Sequence, residues 1–238
     1  MYSSLFCRVY NEFGWNVYPE VFAGQLLRWL EQKALPVRTA LDLGCGTGVL
    51  CQALADRGIK AEGVDLSEGM IAIARERAPE LDFSVADMVT WRDGGPYDLV
   101  TCTGDALNHI HDLADVRRIF ENVYAMLAPG GRFVFDLLGE GEIPDDDPFT
   151  LDYSDTVRAV FRTTREPEDI VRLHIEVWEG GRLSVEENIL ETLHSVDAVT
   201  ALLRAAGFAV EQCSHRLLSD GSAYAAAWFV AARKEERL

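Results

Sequence analysis

With 238 residues, 48% of them apolar, the chain is long enough to bury a sizeable core in one α/β domain carrying an insertion. A formal net charge of −17 repels phosphate backbones and anionic lipid, which sets aside nucleic acid and membranes and leaves a small molecule or a basic protein as partner. Five scattered cysteines without metal or redox spacing, and no leader-like or bilayer-length apolar run, lead us to expect a reduced cytoplasmic protein with no metal.

In chain order, residues 21–33 place Val21, Leu26, Leu27 and Leu30 at helical spacing, and Pro36 stops that helix. Residues 40–43 are a short apolar strand running into Gly44-Cys45-Gly46-Thr47-Gly48. A helix follows through Val49, Leu50, Ala53 and Leu54, closed at Gly58. Residues 61–66 form the second strand, and Ser67 caps a helix over 68–78. Residues 81–85 and 97–101 are the third and fourth strands. The helix over 113–127 carries Val116, Ile119, Phe120 and Val123 as its apolar stripe, and Pro129-Gly130-Gly131 turns the chain into a fifth strand at 132–137.

Such alternation implies a parallel sheet covered on both faces, with ligands bound outside the C-terminal strand ends beside the first strand. The pattern then changes. Asp145-Asp146-Asp147 reads as a solvated linker and residues 157–163 as a strand. Val171, Leu173, Ile175 and Val177 then alternate with polar residues before Gly180-Gly181 turns into 183–193, which predicts an antiparallel β insertion. Ser195 is expected to cap a helix over 196–206 ended by Gly207, and strands at 208–213 and 224–232 finish the main sheet.

The strongest chemical signal is Leu41-Asp42-Leu43-Gly44-Cys45-Gly46-Thr47-Gly48, between a strand and a helix. Glycines there let the backbone approach a ligand and leave helix N–H groups facing outward. About twenty residues on, Asp65 ends the second strand, where a carboxylate can accept both hydroxyls of a ribose. The spacing is GxGxG, and Val49 stands where the dinucleotide pattern GxGxxG has its third glycine. That glycine seats a helix beneath a pyrophosphate. Its absence turns the expectation from a nicotinamide or flavin to S-adenosylmethionine (SAM), which has no pyrophosphate.

These residues and four further segments resemble the class I SAM-dependent methyltransferases over most of residues 40–137. Gly63-Val64-Asp65-Leu66-Ser67-Glu68-Gly69-Met70 is similar to the family's ribose-binding segment, and Ala86-Asp87-Met88 to its adenine loop. Tyr97-Asp98-Leu99-Val100 and Leu127-Ala128-Pro129-Gly130-Gly131 are similar to its fourth- and fifth-strand motifs. The resemblance implies a Rossmann-like, seven-stranded, mainly parallel sheet with helices on both faces. It implies a cofactor site of Asp42, Gly44, Cys45, Gly46, Gly48, Asp65, Leu66, Met70, Ala86, Asp87 and Met88. The glycines would meet the methionine part, Leu66 and Met88 would flank adenine, and Thr103 and Gly104 would lie near the methyl.

Residues 1–36 resemble the helical lid of small-molecule methyltransferases, amino-sugar N-methyltransferases among them. Tyr10-Asn11 stands at that lid's Tyr-Asp, so Tyr10 and Tyr18 are assigned to the cofactor and Trp15 to the acceptor; anchoring the helix is the plainer role of these aromatics. Residues 139–194 resemble the antiparallel insertion that those enzymes set over the active site, and suit a homodimer interface equally. Residues 37–138 and 195–238 are left as the SAM-binding domain.

A sulfonium methyl is already electrophilic, so the protein has mainly to align an acceptor behind it, an effect worth up to roughly 7–11 kcal/mol. Asp136, ending the fifth strand, is a candidate to orient an acceptor hydroxyl or ammonium, or else to hold loop N–H groups. His109 and His194 are candidate bases near neutral pH, or packed structural histidines. The Asn-Pro-Pro-Tyr run of amide and DNA-amine methyltransferases is absent after strand four, where Thr103-Gly104-Asp105-Ala106 stands. The expected activity is therefore methylation of a nitrogen or oxygen of a small molecule. The competing expectations are a protein methyltransferase, a non-catalytic SAM-binding regulatory module and a nucleotide-dependent oxidoreductase.

Overall fold

A computed structural model describes residues 2–13, 15–138, 148–215 and 227–235. The chain opens with two helices, α1 (Ser4–Glu12) and α2 (Val17–Gln32). Ser3 caps the first, its hydroxyl accepting the Phe6 N–H at 3.1 Å. The strand β1 (Thr39–Leu43) is apolar on both faces, and Ala40, Leu41 and Leu43 have no exposure, as a strand flanked by helix layers requires.

The αβ alternation continues with α3 (Val49–Ala55), β2 (Lys60–Asp65), α4 (Glu68–Arg77), β3 (Asp82–Val85) and β4 (Tyr97–Cys102). A short 3-10 turn, Ala106–His109, leads to α5 (Leu113–Met126) and β5 (Leu127–Leu138). The fifth strand thus begins earlier than expected. Pro129-Gly130-Gly131 is absorbed into it through a register shift against β4 between Tyr97 and Leu99, instead of forming a separate turn.

The insertion is a four-stranded antiparallel meander: β6 (Phe149–Ser154), β7 (Val157–Arg165), β8 (Ile170–Glu179) and β9 (Arg182–Thr192). The first of these was not expected, because residues 149–154 are almost wholly exposed and give no buried alternation. The chain closes with α6 (Val196–Ala206), β10 (Phe208–Ser214) and β11 (Ala227–Lys234). Gly207 ends α6 at φ +105°, as expected, but the Ser195 hydroxyl makes no capping bond. The Asp145-Asp146-Asp147 linker and residues 224–226 of the expected last strand lie outside the described residues.

The seven strands of the main sheet run in the order β10-β11-β5-β4-β1-β2-β3. All neighbours from β5 to β3 pair in parallel, and β11 runs antiparallel to both β5 and β10. The order reverses at β1, with β2 on one side and β4 on the other, which opens a crevice beyond their C-terminal ends. One face packs on α2, α3 and α4 through Leu26, Leu30, Leu50, Leu54 and Ile71, the other on α5 and α6 through Val116, Phe120 and Leu203. A third core joins the meander to the N-terminal helices: Phe161, Ile175, Val177 and Ile189 lie against Phe6 and Val9 of α1 and Met70 of α4.

Candidate active site

The segments leaving β1, β2, β3 and β4 converge on a cavity of about 450 Å³. Its floor is the glycine turn after β1. Gly44 and Gly46 have φ of +71° and +52°, a region that residues with a Cβ seldom enter. A Cβ on Gly44 would lie 2.8 Å from the Ala106 Cβ, whereas one on Gly46 would meet nothing within 4 Å and point into open space. The turn curls over β2, since the N–H groups of Gly44 and Cys45 both donate to the Val64 carbonyl, at 2.7 and 3.0 Å.

Asp65 stands at the next strand end. One carboxylate oxygen accepts the Gly46 N–H at 2.9 Å and the other the Ser67 N–H at 2.8 Å. Each oxygen keeps a second lone pair for a ligand donor. Burial raises the Asp65 pKa, and those two backbone bonds work against it. Beyond it Leu66 lines the cavity while 51% exposed, an apolar side chain with room for a flat partner. Ala86, Asp87 and Met88 follow from β3; Asp87 also closes its own turn by accepting the Val89 N–H at 2.8 Å. Asp42, at the end of β1, is buried and pushed up to about 7 by desolvation, against the Thr101 hydroxyl that donates to it at 2.6 Å.

Thr103 and Gly104 line the far side, and the roof comes from segments distant in sequence: Tyr2 and Tyr10 from the N-terminus, and Glu187 to Leu190 from β9. The lid is tied to the floor. Asn16 accepts the Thr47 hydroxyl at 2.6 Å and donates to Asn11 at 3.0 Å, and Arg77 bridges Asn11 to the Thr47 carbonyl.

Residues 40–131 match the family model of a methyltransferase domain. The chain is a methyltransferase. Over 227 residues it is 26% identical to the putative methyltransferase YqeM of Bacillus subtilis, covering 89% of this chain and 90% of that protein. Other curated relatives, at 30–32% identity, align over only about half of their own length. Among solved structures, the SAM-bound amino pentose methyltransferase CalS10 of Micromonospora echinaspora superposes with a TM-score of 0.78 at 26% identity, over 98% of each chain. A SAM-dependent methyltransferase of Clostridium acetobutylicum shares the fold at a TM-score of 0.83 and 20% identity, over 97% of this chain and 98% of that one.

Most of the expected site residues of this methyltransferase share the cavity wall: Asp42, Gly44, Cys45, Gly46, Asp65, Leu66, Met70, Ala86, Asp87, Met88, Thr103, Gly104, Tyr10 and His109. Five do not. Gly48, at φ +78°, faces inward, and a Cβ there would sit 2.9 Å from the Phe83 ring and 3.0 Å from the Ala74 Cβ; it lets α3 pack closely. Trp15 is part of the third core, its ring beside Phe6, Tyr10 and Phe161 and its indole N–H donated to the Tyr153 hydroxyl. Asp136 is fully buried and accepts the Tyr18 hydroxyl and the N–H groups of Gly104 (3.1 Å) and Asp105 (3.0 Å). It therefore holds the loop after β4 and the lid together, and Tyr18 spends its hydroxyl on that bond. His194 donates to the Ile110 carbonyl at 2.7 Å, outside the cavity.

His109 does reach the cavity, with Nε2 3.1 Å from the Tyr2 hydroxyl. Burial lowers its pKa, so the imidazole is neutral at pH 7. The roof residues Tyr2, His111, Glu187, Asn188, Ile189 and Leu190 went unread in the sequence. A signal was present in β9, where Glu187 and Glu191 occupy the same face as Val185 and Ile189, an odd place for a carboxylate. Among the described residues no group of three metal-ligating side chains occurs, and no helix is long and apolar enough to cross a membrane.

Proposed function

We propose that this methyltransferase moves a methyl group from SAM to a nitrogen or oxygen atom of a small molecule. The observation that carries the reading is one cavity with two unlike ends. At one end are the open glycine turn and a carboxylate gripped by two backbone N–H groups; at the other, the loop after β4 lies beneath β9. SAM supplies a methyl on a sulfonium, which needs no metal to become electrophilic.

The chain's own residues divide the work. Gly44 and Gly46 bring backbone close to the methionine part, and Asp65 offers its free lone pairs to the ribose hydroxyls. Leu66 and Met88 flank the adenine, with Asp87 at its edge. Tyr2, Tyr10 and the inward face of β9 keep water out and hold the acceptor in line. Neutral His109, one of two histidines in the wall, is the candidate to take up a proton from the acceptor.

Calorimetry with S-adenosylhomocysteine (SAH) tests the cofactor assignment. The wild type is expected to bind at micromolar concentration. Asp65→Ala removes two hydrogen bonds to a charged group, each worth about 1.5–3 kcal/mol, and so weakens binding at least a hundredfold. Equal affinity in the two proteins would refute it. A homodimer through the edge strand β6, where Phe149 and Leu151 are 51% and 42% exposed, is the companion proposal, checked by sedimentation velocity. The five free cysteines, four of them buried, fit a reducing cytoplasm.

A further inference from the structure

The neutral His109 ring has one N–H and one lone pair, and both are engaged within the cavity wall. Nε2 lies 3.1 Å from the Tyr2 hydroxyl, and the Leu190 carbonyl is hydrogen-bonded to the ring. A carbonyl can only accept, so it takes the imidazole N–H and leaves the Nε2 lone pair to the phenol O–H. The Tyr2 and His109 rings meet edge to face with their centroids 6.0 Å apart, and Phe6 packs on the Tyr2 ring at 5.0 Å.

A lone pair already capped by a hydroxyl receives a proton only through that hydroxyl. Tyr2 lines the cavity as His109 does. Burial, and after it the negative fields of Glu191, Tyr10, Asp65 and Asp105, push the Tyr2 pKa well above its ordinary range. A phenol so placed keeps its proton at neutral pH and is no base by itself. It can accept one proton while it gives up another.

Resting on the methyl-transfer reading above, we propose that Tyr2 is a catalytic residue, its hydroxyl taking the acceptor's proton while passing its own to Nε2 of His109. The acceptor's lone pair bonds to the methyl carbon, and the carbon–sulfur bond breaks with its electron pair left on sulfur. The acceptor's N–H or O–H bond breaks toward the Tyr2 oxygen, and the Tyr2 O–H bond toward Nε2. The positive charge that entered on the sulfonium ends on the imidazole, and Tyr2 is left as it began.

Two measurements on the full chain test it. The first is nitrogen NMR of isotope-labelled histidine in the SAH complex, with His109→Gln to assign the His109 signals. In the wild type the proton is expected on Nδ1 and not on Nε2. Tyr2→Phe keeps the ring on Phe6 but removes the donor that favours the neutral imidazole. His109 should then bind a proton about two- to tenfold more tightly. This measurement needs no acceptor. The second follows SAH formation from SAM with hydroxylamine, a small probe that offers both N–H and O–H. Tyr2→Phe and His109→Gln should each slow it by roughly 10²–10⁴, and the double variant should be no slower than the slower single one, because both remove the same relay. The SAH affinity of Tyr2→Phe should match the wild type.

A proton on Nε2 in the wild type, or a His109 titration unmoved in Tyr2→Phe, overturns the proposal. So does a Tyr2→Phe rate near that of the wild type, which would mean that the acceptor reaches His109 directly. A Tyr2→Phe protein that loses only SAH affinity overturns it too, by assigning the phenol to packing. Failure of the wild type to bind SAH removes the cofactor reading itself, a result distinct from any of these.

Discussion

Two glycines of one turn, Gly46 and Gly48, should fail in opposite ways when each is replaced by alanine. Both have left-handed backbones, at φ +52° and +78°, which cost an alanine about 1–2 kcal/mol. At Gly48 a second cost is added. The new methyl would sit 2.9 Å from the Phe83 Cζ and 3.0 Å from the Ala74 Cβ, neighbours that are 5% and 0% exposed and have nowhere to move. Overpacking of this kind costs about 1–3 kcal/mol, so Gly48→Ala should lose about 2–5 kcal/mol in all. That is a large part of the roughly 5–15 kcal/mol that holds a typical domain together. At Gly46 the methyl meets nothing within 4 Å, so stability falls by only about 1–2 kcal/mol, but the methyl projects where the ligand would lie. Urea unfolding measures the first effect, and SAH calorimetry on the folded fraction the second. Gly48→Ala should be the less stable variant yet keep near wild-type affinity, and Gly46→Ala should be the more stable one with binding largely lost. If Gly48→Ala proves as stable as Gly46→Ala, or if it is the variant that loses SAH, the inward placement of Gly48 is wrong.

Three further outcomes follow from named contacts. His109→Gln keeps the shape of the wall but not the base, so kcat should fall by roughly 10²–10⁴ while SAH affinity is unchanged; equal kcat would remove His109 from proton transfer. Asp42 titrates near 7 in the folded chain and near 4 when unfolded, so the native state holds the extra proton between those values. Its contribution is complete below pH 4 and is lost as pH rises through 7, up to ~4 kcal/mol, and Asp42→Asn should make the fall in unfolding free energy over that interval shallower. Tyr18→Phe removes the lid's donor to the Asp136 carboxyl and should cost about 1.5–3 kcal/mol in urea unfolding; no loss would mean that the bond contributes nothing net.

The parts of this molecule that could be read from the sequence share one physical trait: their geometry is set by residues close together in the chain. The run from Leu41 to Gly48 folds as it does because β1 must end, the turn needs positive φ at Gly44 and Gly46, and α3 must begin, all within eight residues. Asp65 was legible for the same reason, as the last residue of a strand followed at once by the helix that Ser67 caps. Asp136 was legible only in part. Its position at the end of β5 left a substrate contact and the holding of loop N–H groups both open; its donors are the N–H groups of the loop after β4 and, from 118 residues away, the Tyr18 hydroxyl. Gly48 was misplaced because a positive φ says that a Cβ is unwelcome without saying whether ligand or core excludes it.

The roof shows where a pattern carried more than was taken from it. Period-two alternation identified β9 as a strand with one buried face, and the same alternation assigns Glu187 and Glu191 to that face. Apolar burial would favour any aliphatic residue there. A carboxylate persists on a buried face when something satisfies it: for Glu187 this is Ser3, whose N–H and hydroxyl both donate to it, at 3.2 and 3.0 Å. Glu191, four residues along, has no counterpart of Ser3 among the described residues. The contrast between two acids on one strand face is one of partners: Glu187 fastens the lid to β9, while burial raises the Glu191 pKa to about 7.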